Sequence, residues 1–466
     1  MRIAIGIILI FDLGVRFSDY VAFYSDYGVL PREALIMLLN QKDFLSLHLV
    51  SGQPYFIAFL FALALWSAIH FLIGKQTRLY TILSWILLLS IQNRNTLIGQ
   101  GGDDVLRLAL MWSIFLPINK YYSLDALRAI KPEKNEYFGW AGVGLTLLIF
   151  SLYFFSACMK TAPEWTTDYT AVYYALSLDQ IALPLGKSLL QYPFILKIIT
   201  ASVYYIELLG PFLLFIPWKK NLFRTSFVVM FFCFHLGLAF TMFIGFFPAI
   251  VMAVLLGFLP TSIMNKIDAS ISKLTRNVKW TANKHVHMLQ GEAIISGWKK
   301  HISAAALILI VIHQLAWNFG TVSWIPSKFI PLKTLAFNLR LDQSWGMFAP
   351  GVFKEDGWFI FEGITKDNKI IDISRDGKAV RYGKPKLVSA MFKNDRWRKY
   401  TENMLLRRLH ELRFYYASYL YSRWTEQHPE TPIKEIRLIY MKEMTLPDNQ
   451  FSEPKREVLI DWVHSE

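Results

Sequence analysis

The chain has 466 residues, of which 54% are hydrophobic and 16% aromatic, and its formal net charge at pH 7 is +14. Much of the apolar content lies in blocks long enough to cross a bilayer, which excludes an ordinary water-soluble protein and indicates a polytopic membrane protein. The positive charge does not indicate nucleic-acid binding, because the lysines and arginines lie mostly in short loops between the apolar blocks, where basic residues set topology.

The apolar blocks predict about nine membrane-spanning helices, which form a helical membrane domain over residues 1–320. The windows lie near residues 3–17, 54–74, 79–92, 104–118, 139–158, 194–217, 223–243, 245–261 and 302–318. Membrane lipid is therefore an expected partner, and nucleic acid is not.

Basic residues are concentrated in the loops that follow the second, fourth, sixth and eighth windows. The most basic of these loops is the stretch 264–301. Because basic loops tend to stay on the cytoplasmic side, we predict a cytoplasmic N-terminus. With nine spans, the C-terminal region then lies outside, in the periplasm, the extracellular space or a lumen.

A soluble, β-rich α+β domain is predicted over residues 321–466, where apolar runs shorten and charges interleave. The stretch 358–378 alternates like strands joined by polar turns, and stretches 433–444 and 455–463 resemble further strands. Between them, apolar residues from Met404 to Leu420 recur at helical spacing, which predicts helical structure within 396–424.

Lys160 is the first candidate site residue, at the end of the fifth window in YFFSACMKTAPEW (153–165). A lysine at a helix end commonly extends toward lipid headgroups, and Lys160 considered alone favours that interpretation. The alternative is a desolvated amine that acts as a base, since burial disfavours the charged form of a lysine.

Two further ionisable residues lie inside windows. Glu207, in the sixth window, has no cation next to it in sequence, so its carboxylate needs a partner or a proton. His235, in the middle of the seventh window, could hydrogen-bond a ligand or simply a neighbouring helix. We predict that both contact a bound cofactor.

Asp103 and Asp104 are further candidates at the start of the fourth window. Their position favours capping of a helix N-terminus. Asp12 and Arg16, one helical turn apart, are expected to pair. The histidines have no matching cysteine or carboxylate cluster, so no metal is expected.

Four stretches resemble the successive motifs of the horizontally transferred transmembrane (HTTM) domain: FYSDYGVLPR (23–32), NKYYSLDAL (119–127), YFFSACMKTAPEW and FHLGLAFTMFIGFF (234–247). That group includes the vitamin K-dependent gamma-glutamyl carboxylases. The resemblance covers most of residues 1–318, and stretch 339–363 resembles the C-terminal segment of bacterial members. It implies a fold of membrane helices with a soluble domain on the non-cytoplasmic side.

For the carboxylase branch, the resemblance implies a mechanism. A lysine deprotonates reduced vitamin K, oxygen adds, and the resulting alkoxide removes a gamma proton from a peptide glutamate so that carbon dioxide can add. Lys160 matches that lysine by motif position, and His235 matches the histidine that contacts the ring. The implied cofactor is reduced vitamin K or another quinol, and the implied partner is a glutamate-containing peptide or protein.

Two departures from the carboxylase pattern put the coupled carboxylation in doubt. The position of a catalytically important histidine falls at or near Gly102, and the paired lysines are reduced to one because Met159 precedes Lys160. Asp103 or Asp104 would be the replacement polar group, but a carboxylate does not stabilise an oxyanion as an imidazole does. The base can therefore remain while carboxylation is lost.

Two functions follow as hypotheses. The first is a carboxylase-like enzyme that binds a quinol in an apolar pocket between the fifth and seventh spans, opening outward near Lys160. The second is a non-catalytic membrane protein that binds, matures or exports a peptide partner through its soluble domain. In the second, the aromatics of SWGMFAP (344–350) contact the partner, although packing of the soluble domain against the helices is the better-favoured interpretation of that motif.

Overall fold

The computed structural model describes residues 1–38, 45–128, 139–274, 298–447 and 450–464, and of residues 38, 128, 271–274 and 298–300 the backbone only. The helices of the N-terminal part are α1 (Arg2–Phe17), α2 (Tyr20–Tyr24), α3 (Arg32–Leu38), α4 (Pro54–Ile73), α5 (Thr77–Arg94), α6 (Gly101–Ser113), α7 (Leu124–Arg128), α8 (Trp140–Met159), α9 (Pro163–Thr166), α10 (Ala171–Ser177), α11 (Pro184–Leu189), α12 (Pro193–Leu209), α13 (Lys220–Thr241), α14 (Phe247–Leu255), α15 (Thr261–Leu274) and α16 (Trp298–Thr321). The C-terminal part has α17 (Lys333–Asn338), β1 (Glu355–Thr365), β2 (Ile370–Asp372), α18 (Asp395–Asn403), α19 (Leu412–Gln427), β3 (Ile433–Met444) and β4 (Lys455–Val463).

Every predicted window contains a helix, and local signals set several of the helix ends. Helix α4 begins with Pro54, whose fixed φ suits the first turn and whose missing N–H is not needed there. It ends at Gly74, which has the left-handed φ of 70° that a glycine adopts without strain.

Five of the described helices are long and apolar enough to cross a membrane, and a bent pair makes a sixth candidate. The five candidate spans are Pro54–Ile73, Trp140–Met159, Pro193–Phe215, Lys220–Thr241 and His301–Thr321. The bent pair joins Phe247–Phe258 to Thr261–Ser270 at 105°. Helices α1 and α6 have 16 and 13 residues, fewer than the roughly 20 that a membrane-spanning helix usually needs. The described part of the chain thus supports five or six spans, fewer than the nine predicted.

Helix α8 lies at the centre of the bundle, where it packs against α6, α12 and α16. Helix α1 packs against α4 and α14, and α13 packs against α14. Gly144 brings α8 close to the ring of Trp112 on α6, where an added Cβ would overlap the indole. This close packing fixes α8, which carries Lys160 at its end.

The C-terminal part contains a four-stranded antiparallel sheet in the order β2-β1-β3-β4. The strands predicted at 433–444 and 455–463 are β3 and β4, and the stretch 358–378 contains most of β1 and all of β2. The helical structure predicted within 396–424 is present as two helices, α18 and α19, with a break between them. Met404 and Leu409 are buried within that break, so the apolar spacing reflects core packing across a turn.

The sheet and the helical bundle share one apolar core. Phe359 of β1, Tyr440 of β3 and Tyr400 of α18 belong to the same cluster of buried side chains as Leu148 and Phe155 of α8. The region after residue 321 is therefore attached to the bundle through buried contacts. The boundary near residue 320 itself stays a prediction.

Candidate functional site

Three polar side chains lie along one face of α8 and define the candidate site. Tyr153, Ser156 and Lys160 are spaced by three and four residues, which places them on the same side of a helix. Their partners come from the two neighbouring helices α12 and α13. Together with Glu207 and His235, they form what we call the α8 polar line.

Lys160 and Glu207 form a buried ion pair at one end of this line. The Lys160 Nζ donates to the Glu207 carboxylate and, over 2.9 Å, to the Ser156 Oγ. Lys160 is 3% exposed and Glu207 5%. Lys160 therefore does not extend toward headgroups. The partner that Glu207 requires is a residue 47 positions earlier in the chain.

His235 is fully buried and hydrogen-bonded to Tyr153. The His235 Nε2 lies 2.8 Å from the Tyr153 hydroxyl, joining α13 to α8 as the helix-to-helix interpretation predicted. The Tyr153 ring stacks on Phe231, with ring centroids 3.6 Å apart. The His235 Nδ1 has no hydrogen-bond partner among the described residues. Sequence reasoning missed Tyr153, although its spacing of seven residues from Lys160 was a usable signal.

The Lys160 end of the line is covered by an aromatic layer and by the C-terminal part of the chain. The Trp165 ring lies 4.8 Å from the Lys160 Nζ, a cation–π contact, and the Trp165 Nε1 donates to the Phe348 carbonyl over 2.8 Å. The Ala162 N–H donates to the Pro350 carbonyl over 3.0 Å. The motif 344–350 thus packs against the bundle and covers Lys160.

An apolar groove of about 540 Å³ lies beside α12. It is lined by α12 and α13 and by the connecting 3-10 turn, including Tyr205, Ile206, Leu209, Gly210 and Met230. The predicted pocket was placed between the fifth and seventh spans, whereas this groove lies between the sixth and seventh. Ile206 is the sequence neighbour of Glu207, so the groove and the ion pair share α12.

Gly102 occupies a tight position on α6. A Cβ added to Gly102 would lie 3.0 Å from the Phe247 Cα and 3.2 Å from the Ile250 Cδ1. The Phe247 ring in turn contacts the His235 ring at 5.5 Å between centroids. A side chain at position 102 would require Phe247 and Ile250 of α14 to shift by a few tenths of an ångström, so glycine suits the close approach of α6 to α14.

Asp103 and Asp104 belong to ionic contacts outside the α8 polar line. Asp103 accepts the Gln100 N–H over 3.1 Å, which confirms the predicted capping role. It also pairs with Arg16 at 2.5 Å and with Arg396 at 3.1 Å. Asp104 pairs with Arg107 at 2.8 Å.

The predicted pair of Asp12 and Arg16 is present, at 2.7 Å. Arg396, which sequence reasoning missed, comes from α18 and also pairs with Asp12, at 2.5 Å. Among the residues that the structure describes, no group of three or more histidine, cysteine and carboxylate side chains could hold a metal ion.

The fold and the site define an integral membrane protein with a buried line of ionisable groups between its helices. Residues 44–262 match the family model of the HTTM domain. The chain therefore contains an HTTM domain. The match includes α8, α12 and α13, and three of the four motifs noted in the sequence; the motif 23–32 precedes it. Comparisons with curated proteins and with solved structures gave no match.

Proposed function

We propose that this protein is a membrane enzyme that deprotonates reduced vitamin K or another quinol, with Lys160 as the base. The observation that carries the proposal is the buried Lys160–Glu207 pair, covered by Trp165. A catalytic base needs a site that excludes water, since water would compete for the proton. Both members of the pair are almost fully buried.

Glu207 supplies the means for Lys160 to act as a base. In a dry site, two opposite charges are costly, and transfer of one proton from the ammonium to the carboxylate leaves a neutral amine and a neutral acid. The neutral amine then accepts the proton of a quinol hydroxyl. Ser156, which hydrogen-bonds the Lys160 Nζ, holds the amine in place during the exchange.

The groove between α12 and α13 is proposed to hold the apolar tail of the quinol. Its side chains are apolar apart from Ser202 and the hydroxyl of Tyr205, and it opens toward the lipid-facing side of α12, where Phe194, Ile198 and Leu209 are exposed. His235, oriented by Tyr153, is proposed to contact the ring.

Carboxylation of a peptide glutamate is proposed to have been lost. The position of the carboxylase histidine falls at or near Gly102, and α14 packs closely against this glycine. The remaining chemistry is oxygenation of the quinol, and the expected product from vitamin K is its epoxide.

We also propose nine spans, with the N-terminus inside and the C-terminal domain outside. Support comes from contacts of the C-terminal part with three helix ends that this topology puts on one face. Arg396 pairs with Asp12 in the last turns of α1 and with Asp103 at the start of α6, and the Trp165 Nε1 after α8 donates to the Phe348 carbonyl. The long basic loop would then lie on the opposite, cytoplasmic face.

The test uses the purified full-length protein in detergent with reduced vitamin K, oxygen, labelled bicarbonate and a glutamate-rich peptide. We expect epoxide without incorporation of label, and a loss of at least about a hundredfold in Lys160→Met. The matched control is Lys219→Met, because Lys219 also stacks on a tryptophan, at 4.4 Å from Trp218, but is exposed.

Unchanged epoxide formation in Lys160→Met would overturn the proposal. Incorporation of label into the peptide would show that the protein has the full carboxylase activity and that carboxylation has not been lost. Neither product, across several quinols, would favour the non-catalytic role in binding or maturation of a peptide partner.

A further inference from the structure

A second, polar cavity of about 310 Å³ lies where α5, α6 and the C-terminal part meet. Of the thirteen described residues that line it, eleven have polar or charged side chains and two are glycines. Such a lining is unusual in a chain that is 54% hydrophobic. Buried polar surface requires water or a polar ligand to satisfy it.

The cavity wall presents more positive than negative groups. Its cations are Arg16, Arg107, Arg340 and Lys399, and its carboxylates are Asp103 and Asp104. Asp12, Asp342 and Glu402 pair with Arg16, Arg340 and Lys399 respectively, but these three carboxylates do not line the cavity. The surface that a ligand would meet therefore carries a formal excess of two positive charges.

The two arginines on one side of the cavity are held in fixed orientations by the protein. Arg107 is fully buried and donates to the Arg340 carbonyl over 2.7 Å, to Asp104 over 2.8 Å and to Gln92. Asp104 also lies 4.0 Å from the Arg340 guanidinium, so one carboxylate sets the positions of both side chains. Fixed guanidinium groups suit a planar carboxylate, which they bind through paired hydrogen bonds.

The start of α6 strengthens the preference for an anion. Gly99 and Gly101 line the cavity, so the backbone of the GQGG turn approaches it without side chains. This turn leads into the N-terminus of a 13-residue helix, where the helix dipole favours negative charge. Asp103 and Asp104 in the same wall repel a doubly charged anion more than a singly charged one.

We propose that this cavity is a binding site for a carboxylate group, with Arg107 and Arg340 as its binding residues. Ser344 and Lys399 come from the C-terminal part, so the site is complete only when that part is docked on the bundle. The inference does not rest on the proposed quinol chemistry, because none of the α8 polar line residues lines the cavity. The carboxylate belongs to a free small acid or to an acidic side chain of a polypeptide.

The test is calorimetric titration of the purified full-length protein in detergent at constant ionic strength. The probes are sodium glutamate, a glutamate-rich peptide and inorganic phosphate. We expect saturable binding of glutamate or the peptide that weakens at least about tenfold in Arg340→Gln, because charge-assisted hydrogen bonds are lost. Arg423→Gln is the matched control, since Arg423 is exposed and bonds only Tyr419 among its described hydrogen bonds.

A second variant keeps the test decisive if Arg340→Gln fails to fold. Ser344 is exposed at the cavity, so Ser344→Trp blocks the space without removing a charge and should weaken binding similarly. Tighter binding of the peptide than of free glutamate identifies a polypeptide source, and equal binding identifies a small acid. No saturable binding, binding insensitive to Ser344→Trp, or tighter binding of phosphate than of glutamate would overturn the proposal.

Discussion

Two buried ionic clusters in this protein are built on different cations, lysine in one and arginine in the other. This difference distinguishes a candidate reactive group from a structural one. The first is the Lys160–Glu207 pair between α8 and α12. The second, which we call the arginine ring, contains Arg16, Arg396, Asp12 and Asp103. Each arginine in the ring pairs with both aspartates.

A guanidinium stays protonated in proteins, whereas a lysine ammonium can release its proton. The arginine ring therefore cannot exchange protons with a ligand, and its paired geometry instead fixes α18 against α1 and α6. The lysine pair has one cation and one carboxylate, and its hydrogen bond is the path of the proton transfer proposed above. Burial alone therefore does not identify a reactive group, because the kind of cation determines whether a buried pair can exchange a proton.

The largest effect is expected from breaking the arginine ring. Arg396→Met leaves two carboxylates facing the single cation of Arg16, and loss of one partner from a buried pair costs about 3–5 kcal/mol. We expect the free energy of unfolding to fall by about that amount, measured by thermal or denaturant unfolding in detergent. Arg423→Met, at an exposed position, should change it little. Equal stability of the two variants would mean that the ring does not hold the C-terminal part in place.

A pH-dependent effect of similar size is expected at a third cluster, where charges are not balanced. Asp356 of β1 is buried close to Asp179. Burial and the negative charge of Asp179 raise the pKa of Asp356 from 3.8 to about 7, although backbone hydrogen bonds and the Lys384 ammonium act in the opposite direction. The folded state therefore holds the proton more tightly than the unfolded state. Its stabilising contribution is complete below about pH 4 and is lost as the pH rises to 7.

Substitution by a neutral isostere removes this dependence. Asp356→Asn should flatten the fall in stability between pH 4 and 7 and stabilise the protein at pH 8 by up to roughly 4 kcal/mol. The measurement is the unfolding free energy as a function of pH, with Asp376→Asn as the control because Asp376 is exposed and lies outside the strands. An unchanged slope in Asp356→Asn would show that another group titrates there.

Replacing both members of the lysine pair should separate stability from activity. Lys160→Met alone leaves the Glu207 carboxylate buried without its cation, whereas Lys160→Met with Glu207→Leu removes both charges. We expect the free energy of unfolding of the double variant to exceed that of the single variant by at least about 2 kcal/mol. The double variant should nevertheless form no epoxide. A double variant that is no more stable than the single one would mean that the pair is not desolvated; epoxide formed by the double variant would exclude Lys160 as the base.

The sequence was most informative where a local pattern decides the structure. Period-two alternation located β3 and β4, and apolar windows located the helices. Capping chemistry predicted the role of Asp103 because the acceptor and the Gln100 N–H are three residues apart. The need of Glu207 for a partner was also evident from burial of a carboxylate in an apolar stretch.

Partners that are distant in sequence could not be predicted. Lys160 and Glu207 are 47 residues apart, and Arg396 reaches Asp12 across 384 residues. No local pattern encodes which helix packs beside α8, since that choice depends on the fit of the whole bundle. The break between α18 and α19 was missed for a related reason, because helical spacing of apolar residues cannot distinguish one helix from two that face a common core.

The smallest expected effect concerns the hydrogen bond within the α8 polar line. Tyr153→Phe keeps the ring stacked on Phe231 and removes only the hydroxyl, so the free energy of unfolding should fall by about 1 kcal/mol. If His235 contacts the quinol as proposed, its imidazole loses its orientation and the KM for quinol should rise several-fold, while Lys160 remains able to act as a base. Phe231→Leu is the matched control, because it disturbs packing on Tyr153 without touching the hydrogen bond. A rise in KM that is equal in the two variants would mean that packing, and not the orientation of His235, determines quinol binding.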